Sequence, residues 1–344
     1  MGHVCGCLLA VCVSAGSIVV AAPPSLSDLA EQVASRGSAA LVRFLEHAGG
    51  STQFTAEDEA IRLNRFEAEL EPGSGQVILQ VSNDRGNDFE YILLEPRDGA
   101  WIHRGSVTLS GQRGEMPTHR IETTGDGRWL VIRALRASGT GFSRSNETWY
   151  ALGEAGLESV LSYPASGHVT GHGLPFDRSY DGYQAGLTST DGVARLEVIF
   201  TAHYTNGQVY QIDGLDHLFS KRGLARFVLD RETGRFLLDG VTSTMTEAQI
   251  RGLFGSDAQG FLVQNFSELR EMALSGTPAQ REWLGRFLPG RDDCTEKTVL
   301  MEHLGISPGA ATQEDRDAAL DDVLDDTVLD DIRDDAARTD SLDD

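Results

Sequence analysis

Lysine is nearly missing from this chain. Lys221 and Lys297 are the only two among 29 basic residues, which face 52 acidic ones for a formal net charge of −23. Neutralising a phosphate backbone needs basic side chains, so this balance argues against a nucleic-acid binder. Cysteine is scarce as well. Cys5, Cys7 and Cys12 crowd the first residues, and Cys294 stands alone beyond them, unable to close an internal disulfide once that segment is removed. Long apolar runs are limited to Leu8–Val20, which falls short of the roughly 20 residues that cross a bilayer as a helix. No transmembrane helix is therefore expected in the mature chain, which must be stabilised by its core.

The run Leu8–Val20 is uncharged and ends in Val19-Val20-Ala21-Ala22, small residues that fit a signal-peptidase pocket. Residues 1–21 are expected to be a secretory signal peptide cut after Ala21, although its first residues hold no Lys or Arg. A lipid on Cys12 is the rival reading, against which Val11 stands where a small residue is expected. The expected location is secreted, periplasmic or in the cell envelope.

Period and punctuation divide the rest. In residues 22–55, Leu26, Leu29, Ala30 and Val33 fall at helical spacing after a Ser25/Asp28 capping pair; Gly37 separates them from Leu41, Val42, Phe44 and Leu45, which predicts a helical pair. Residues 56–243 read as strands broken by Gly, Asp and Asn. Phe66, Ala68 and Leu70 alternate with charged residues as in a half-buried strand. Asn206-Gly207 in "TNGQ" predicts a tight type I′ hairpin that would set His203 opposite Tyr210, and "DRETGR" predicts another turn. No helical stretch separates these strands, so the sheet or sandwich should be antiparallel. Residues 244–308 return to helical signals, with Thr246/Gln249 and Thr277-Pro278/Gln280 as caps and four short helices expected. The segregated order argues α+β. Residues 309–344 carry thirteen Asp and Glu314 against Arg316, Arg333 and Arg338, a net −11, and are expected to form a disordered acidic tail that could bind Ca²⁺ weakly or meet a basic partner.

The candidates for chemistry are few. "RALRASGTGFSRSNETWYAL" has neither a helix after its glycines nor a Gly-Lys-Ser/Thr ending, so it is not a phosphate loop, and it lacks the Gly-x-Ser-x-Gly of a nucleophile elbow. It reads as a long glycine hairpin at a sheet edge, with Ser138, Thr140, Ser143 and Asn146 as candidate binding residues. His168 and His172, four apart in a glycine-rich segment before Asp177, are candidate metal ligands only if the segment bends, since about 13 Å separates such positions in an extended strand. Asp213, Asp216 and His217 match no known ligand loop. Trp101, Trp129, Trp149 and Tyr150 fall in strands and are expected in the core rather than on a sugar-stacking face. Two functions follow. The first is a non-enzymatic envelope or extracellular binding module for a protein or small molecule, with contacts in Ser138–Asn146, Ser166–Gly182 and the tail. The alternative is a secreted hydrolase with its site near His168, His172 and Asp177.

Overall fold

The structure is a computed structural model describing residues 25–57, 60–83, 87–110, 116–125, 127–170, 175–207, 212–253 and 258–306. Residues 1–24, with the expected leader, and residues 307–344, with the acidic tail, lie outside the described residues. Two helices open the fold, α1 (Leu26–Arg36) and α2 (Ser38–His47). The predicted capping box forms, with Ser25 and Asp28 each satisfying the other's backbone N–H. Gly37, at φ 65, turns the chain directly from one helix into the next.

Four strands follow: β1 (Ile61–Glu67), β2 (Val77–Asn83), β3 (Asp88–Arg97) and β4 (Ala100–Ser110). They form an antiparallel sheet in sequence order. Val77, Leu79 and Val81 of β2, with Ile92 and Leu94 of β3, bury one face under Leu29, Val33, Leu41, Phe44 and Leu45 of the helical pair. The opposite face, with Ile78, Phe89, Tyr91, Leu93, Val107 and Leu109, is covered by the second sheet. Burial on both faces explains why β2 reads as a continuous run, VILQV, rather than as an alternation. The expected half-buried strand through Phe66, Ala68 and Leu70 is shorter than its pattern suggested. β1 stops at Glu67, and Ala68 and Leu70 bury their side chains from the irregular chain beyond it.

The second sheet has eight strands: β5 (Thr118–Thr124), β6 (Gly127–Gly139), β7 (Phe142–Leu152), β8 (Leu157–Val169), β9 (Phe176–Thr190), β10 (Val193–Asn206), β11 (His217–Leu229) and β12 (Phe236–Leu238). Each pairs antiparallel with the next. The sheet curls. Phe236 of β12 packs 5.4 Å from Trp129 of β6 and 5.8 Å from Trp149 of β7, ring centre to ring centre, although these strands lie towards opposite ends of the strand order. Bulges at Leu135/Ala137, Ser145/Asn146, Trp149/Tyr150 and Glu197/Val198 supply the bending. Trp129, Trp149 and Tyr150 are buried, and Trp101 is half-buried against the helical pair, as expected of core aromatics.

The hollow of the curl is closed by α3 (Glu247–Gly252), α4 (Ala258–Gln264), α5 (Phe266–Ser275), α6 (Pro278–Phe287) and α7 (Thr295–Leu304). Both predicted caps, Thr246/Gln249 and Thr277/Gln280, are present. There is one helix more than the expected four, because Asn265 leaves helical geometry and splits "FLVQNFSEL" into α4 and α5. Phe261 stacks on Phe176 at 4.0 Å, and Trp283 donates its indole N–H to the Pro175 carbonyl at 3.0 Å. The layers run helical pair, four-stranded sheet, eight-stranded sheet, helical group: an α+β fold with two antiparallel sheets. Among the described residues no helix is long and apolar enough to cross a membrane, and Cys294 is free.

The "TNGQ" expectation fails. β10 ends at Asn206 and β11 begins at His217. The connection carries Ile212 and Leu215 into the core, which a two-residue turn could not do. Tyr210 lies outside the described residues, and His203 is paired with Ser220 and Ser179 instead. The "DRETGR" turn forms, with Gly234 at φ 69 and its N–H donating to the Asp230 carbonyl.

The sheets touch closely at one glycine. Gly105 of β4 sits at φ 144, and a Cβ there would lie 2.7 Å from the Leu157 nitrogen and 2.8 Å from the Gly156 Cα. Backbone cannot yield as a side chain does. Gly105→Ala is expected to lower unfolding free energy by about 3 kcal/mol in a urea titration. Gly99→Ala, in open space at φ 80, should cost about 1 kcal/mol. Equal losses would show that the sheets are not in backbone contact at Gly105.

Candidate functional site

Along β9 the side chains alternate. Phe176, Arg178, Tyr180 and Gly182 are buried, while Ser179, Asp181 and Tyr183 are exposed and Asp177 is half-exposed. The register carries this alternation across the sheet, because directly paired residues share a face. Ser143 of β7 pairs with His168 of β8, His168 with Ser179 of β9, Ser179 with His203 of β10, and His203 with Ser220 of β11. The outer face therefore carries a row Ser–His–Ser–His–Ser across neighbouring strands, roughly 19 Å long at about 4.8 Å per strand. Ser143 Oγ lies 2.8 Å from His168 Nδ1, and Ser220 Oγ lies 2.8 Å from His203 Nδ1 and 3.3 Å from His217 Nε2. Asp181 and Thr201 form a second register pair beside the row, continued by Arg222; the Arg222 guanidinium donates to the Tyr183 hydroxyl at 3.3 Å. The Tyr183 side chain is 49% exposed.

Two candidates from different parts of the sequence, Ser143 and His168, thus meet directly. The stretches expected as long loops are largely strand. Ser138 pairs with Ser143 within a hairpin whose turn is only Thr140-Gly141, with Gly141 at φ 81, and Asn146 lies well inside β7, where it accepts from Arg144 Nε at 3.3 Å. This hairpin is one strand in from the β5 edge; Ser143 and Asn146 of β7 are paired to β6 and β8 on both sides, while Ser138 is held extended by its pairing with Ser143. Ser166 and Gly182 are likewise strand residues. Asp177 lies two residues along β9 from the partner of His168, diagonal to it on the same face. His172 falls outside the described residues. Among the described residues no group of three or more His, Cys, Asp or Glu is placed to hold a metal ion.

The inner face holds a polar cluster that the sequence reading missed. Glu147 is 6% exposed. It accepts from Arg120 Nη1 at 2.8 Å and Nη2 at 2.7 Å, from Trp149 Nε1 at 3.3 Å, and from the Tyr163 hydroxyl. Arg120 also reaches Glu122 at 2.7 Å and Gln184 at 2.9 Å, which joins β5 to β9 across the curl. The signal was there to read: Glu147 shares strand parity with Trp149, so a core tryptophan forces the carboxylate inward.

Scanned against models of protein families, curated proteins and solved structures, the chain has no match.

Burial alone would raise the Glu147 carboxyl pKa. The hydrogen bonds from Arg120, Tyr163 and Trp149, with the Arg120 charge, outweigh it and hold the group below its usual 4.5. A carboxyl held low contributes stability above its unfolded pKa and loses it as pH falls through the folded one. Glu147→Gln is expected to cost about 2–4 kcal/mol at pH 7 and to flatten the fall in stability below about pH 4.5, read from urea midpoints across pH. An unchanged acid limb would remove Glu147 as a source of the pH dependence.

Proposed function

We propose that this protein is an exported, non-enzymatic binding module whose contact surface is the outer face of β7–β11. The observation that carries the reading is the Ser143–His168–Ser179–His203–Ser220 row, exposed or half-exposed throughout. Hydroxyls and imidazoles on a regular strand spacing offer donors and acceptors in a line, and Tyr183 beside Arg222 and Asp181 adds a ring face with polar neighbours. A polyhydroxylated polymer, an envelope or extracellular polysaccharide, is the partner class this chemistry suits. The leader-like segment at residues 1–21 supports export.

A hydrolase reading has one observation in its favour, the 2.8 Å contact between Ser143 and His168. The same contact recurs between Ser220 and His203, so it belongs to the repeating face rather than to one nucleophile. Among the described residues His168 has no carboxylate at ion-pair distance to orient its ring. Surface depressions of about 300 and 320 Å³ lie on α5 and on the helical pair, and neither is lined by the row.

Co-sedimentation with insoluble polysaccharides, peptidoglycan sacculi among them, tests the proposal. The combined variant Ser143→Ala, His168→Ala, His203→Ala and Tyr183→Ala is expected to keep its melting temperature and to bind about tenfold more weakly, as losing several modest polar contacts implies. Equal retention of both proteins, or none of the wild type, refutes the face as a polysaccharide surface. Ester hydrolysis that disappears in Ser143→Ala alone would favour the hydrolase instead.

A further inference from the structure

Arg178 is a buried cation with no counter-charge among the described residues. Strand parity sends it inward between Phe176 and Tyr180, and it is 3% exposed. Nη1 donates to the Gly252 carbonyl at the end of α3 at 3.2 Å, and the Tyr204 side chain is a further hydrogen-bonding neighbour. Among the described residues, Nε and Nη2 are buried with no hydrogen-bond partner. The groups that face it are phenols, Tyr204 and Tyr180, and among the described residues it makes no ion pair. Among the described residues the other buried cation differs: Lys297, at 8% exposed, meets Asp293 at 3.0 Å and the Arg291 carbonyl at 2.6 Å.

Arginine cannot shed its proton to escape such a setting. An unpaired buried charge is costly, and nearly all buried polar groups in folded proteins have partners. The surroundings are polar along one line. Tyr204 hydrogen-bonds to Asn265, whose Oδ1 lies 3.5 Å from Lys221 Nζ. Lys221 also donates to the Gln264 carbonyl at 2.8 Å and lies 3.5 Å from Glu268. A guanidinium with Nε and Nη2 both unused presents the edge that takes two oxygens of a carboxylate or phosphate side by side.

We infer that Arg178 anchors a buried oxyanion site between β9 and α3, taking a carboxylate or phosphate group with Tyr204 beside it. The site is separate from the outer-face row, since Arg178 and Ser179 point to opposite sides of β9.

The test is thermal unfolding of the full chain in chloride buffer at constant ionic strength, titrated with inorganic phosphate or with decanoate. An oxyanion that binds the folded state raises the melting temperature saturably, by roughly 3–6 °C well above its dissociation constant. The rise is expected in the wild type and in Arg281→Gln, an exposed control on α6, and should vanish in Arg178→Met. A response to phosphate alone identifies a free phosphate site; a response to decanoate alone identifies the carboxylate head of an amphiphile. Should Arg178→Met fail to fold, Arg178→Lys keeps the charge without the fork, and its half-saturation should move up about tenfold. No saturable rise with either anion in the wild type overturns the inference and leaves Arg178 as a structural tie to Gly252. An equal rise in the wild type and the Arg178 variants overturns it as well.

Discussion

The contact of Phe236 with Trp129 and Trp149 is the interaction on which the rest depends, because it holds the eight-stranded sheet in its curl. An open sheet of that width, with an inner face of Leu196, Val198, Phe200, Ala202 and Tyr204 on β10 alone, exposes more apolar surface than short helices can cover. Curling lets the sheet bury part of that face on itself and leaves the remainder to α3–α7. The Arg120–Glu147 pair, extended to Gln184, closes the same curve from the β5 side with directional bonds. Apolar burial supplies the driving force, and the charged cluster fixes which residues meet.

Curvature also sorts the outer face. Leu130, Ile132, Ala134 and Tyr150 lie on β6 and β7, where the four-stranded sheet packs, and they are buried. Beyond that contact, Ser179, Asp181, His203, Ser220 and Arg222 remain exposed. One sheet thus presents a core to a second sheet over part of its width and a polar surface over the rest. The polar row is regular because antiparallel register places each residue opposite a defined partner, and the bulges lie elsewhere along the strands over most of the row.

Much of the architecture was legible. The caps at Ser25, Thr246 and Thr277 are local chemistry, settled by residues three apart. The antiparallel order followed from the lack of helical stretches between strands. What misled was also local. Asn206-Gly207 has hairpin chemistry, yet the core's demand for Ile212 and Leu215 overrode it. Phe66, Ala68 and Leu70 alternate, yet the last two bury themselves from outside a strand. Of the candidate site residues, Ser143 and His168 were named from separate segments, and Asp177 proved to share their face. Ser179, His203 and Ser220 complete the row only through strand pairing, which one strand's sequence does not encode. Arg178 and Glu147 were readable as inward positions by parity with Tyr180 and Trp149, a signal hidden by the habit of placing charges outside.

The sequence by itself determined the class of fold, the helix starts and the alternation that assigns each strand residue to one of two faces. These depend on neighbours within a turn of helix or a few strand residues. Only the tertiary structure decided that there are two sheets, that the larger one curls, and that residues as far apart as Ser143 and Ser220 stand in one line. It alone set Arg178 inside, with no carboxylate partner among the described residues. Register, curvature and the pairing of buried charges are set by contacts between segments distant in sequence, and those contacts exist only once the chain has closed on its cores.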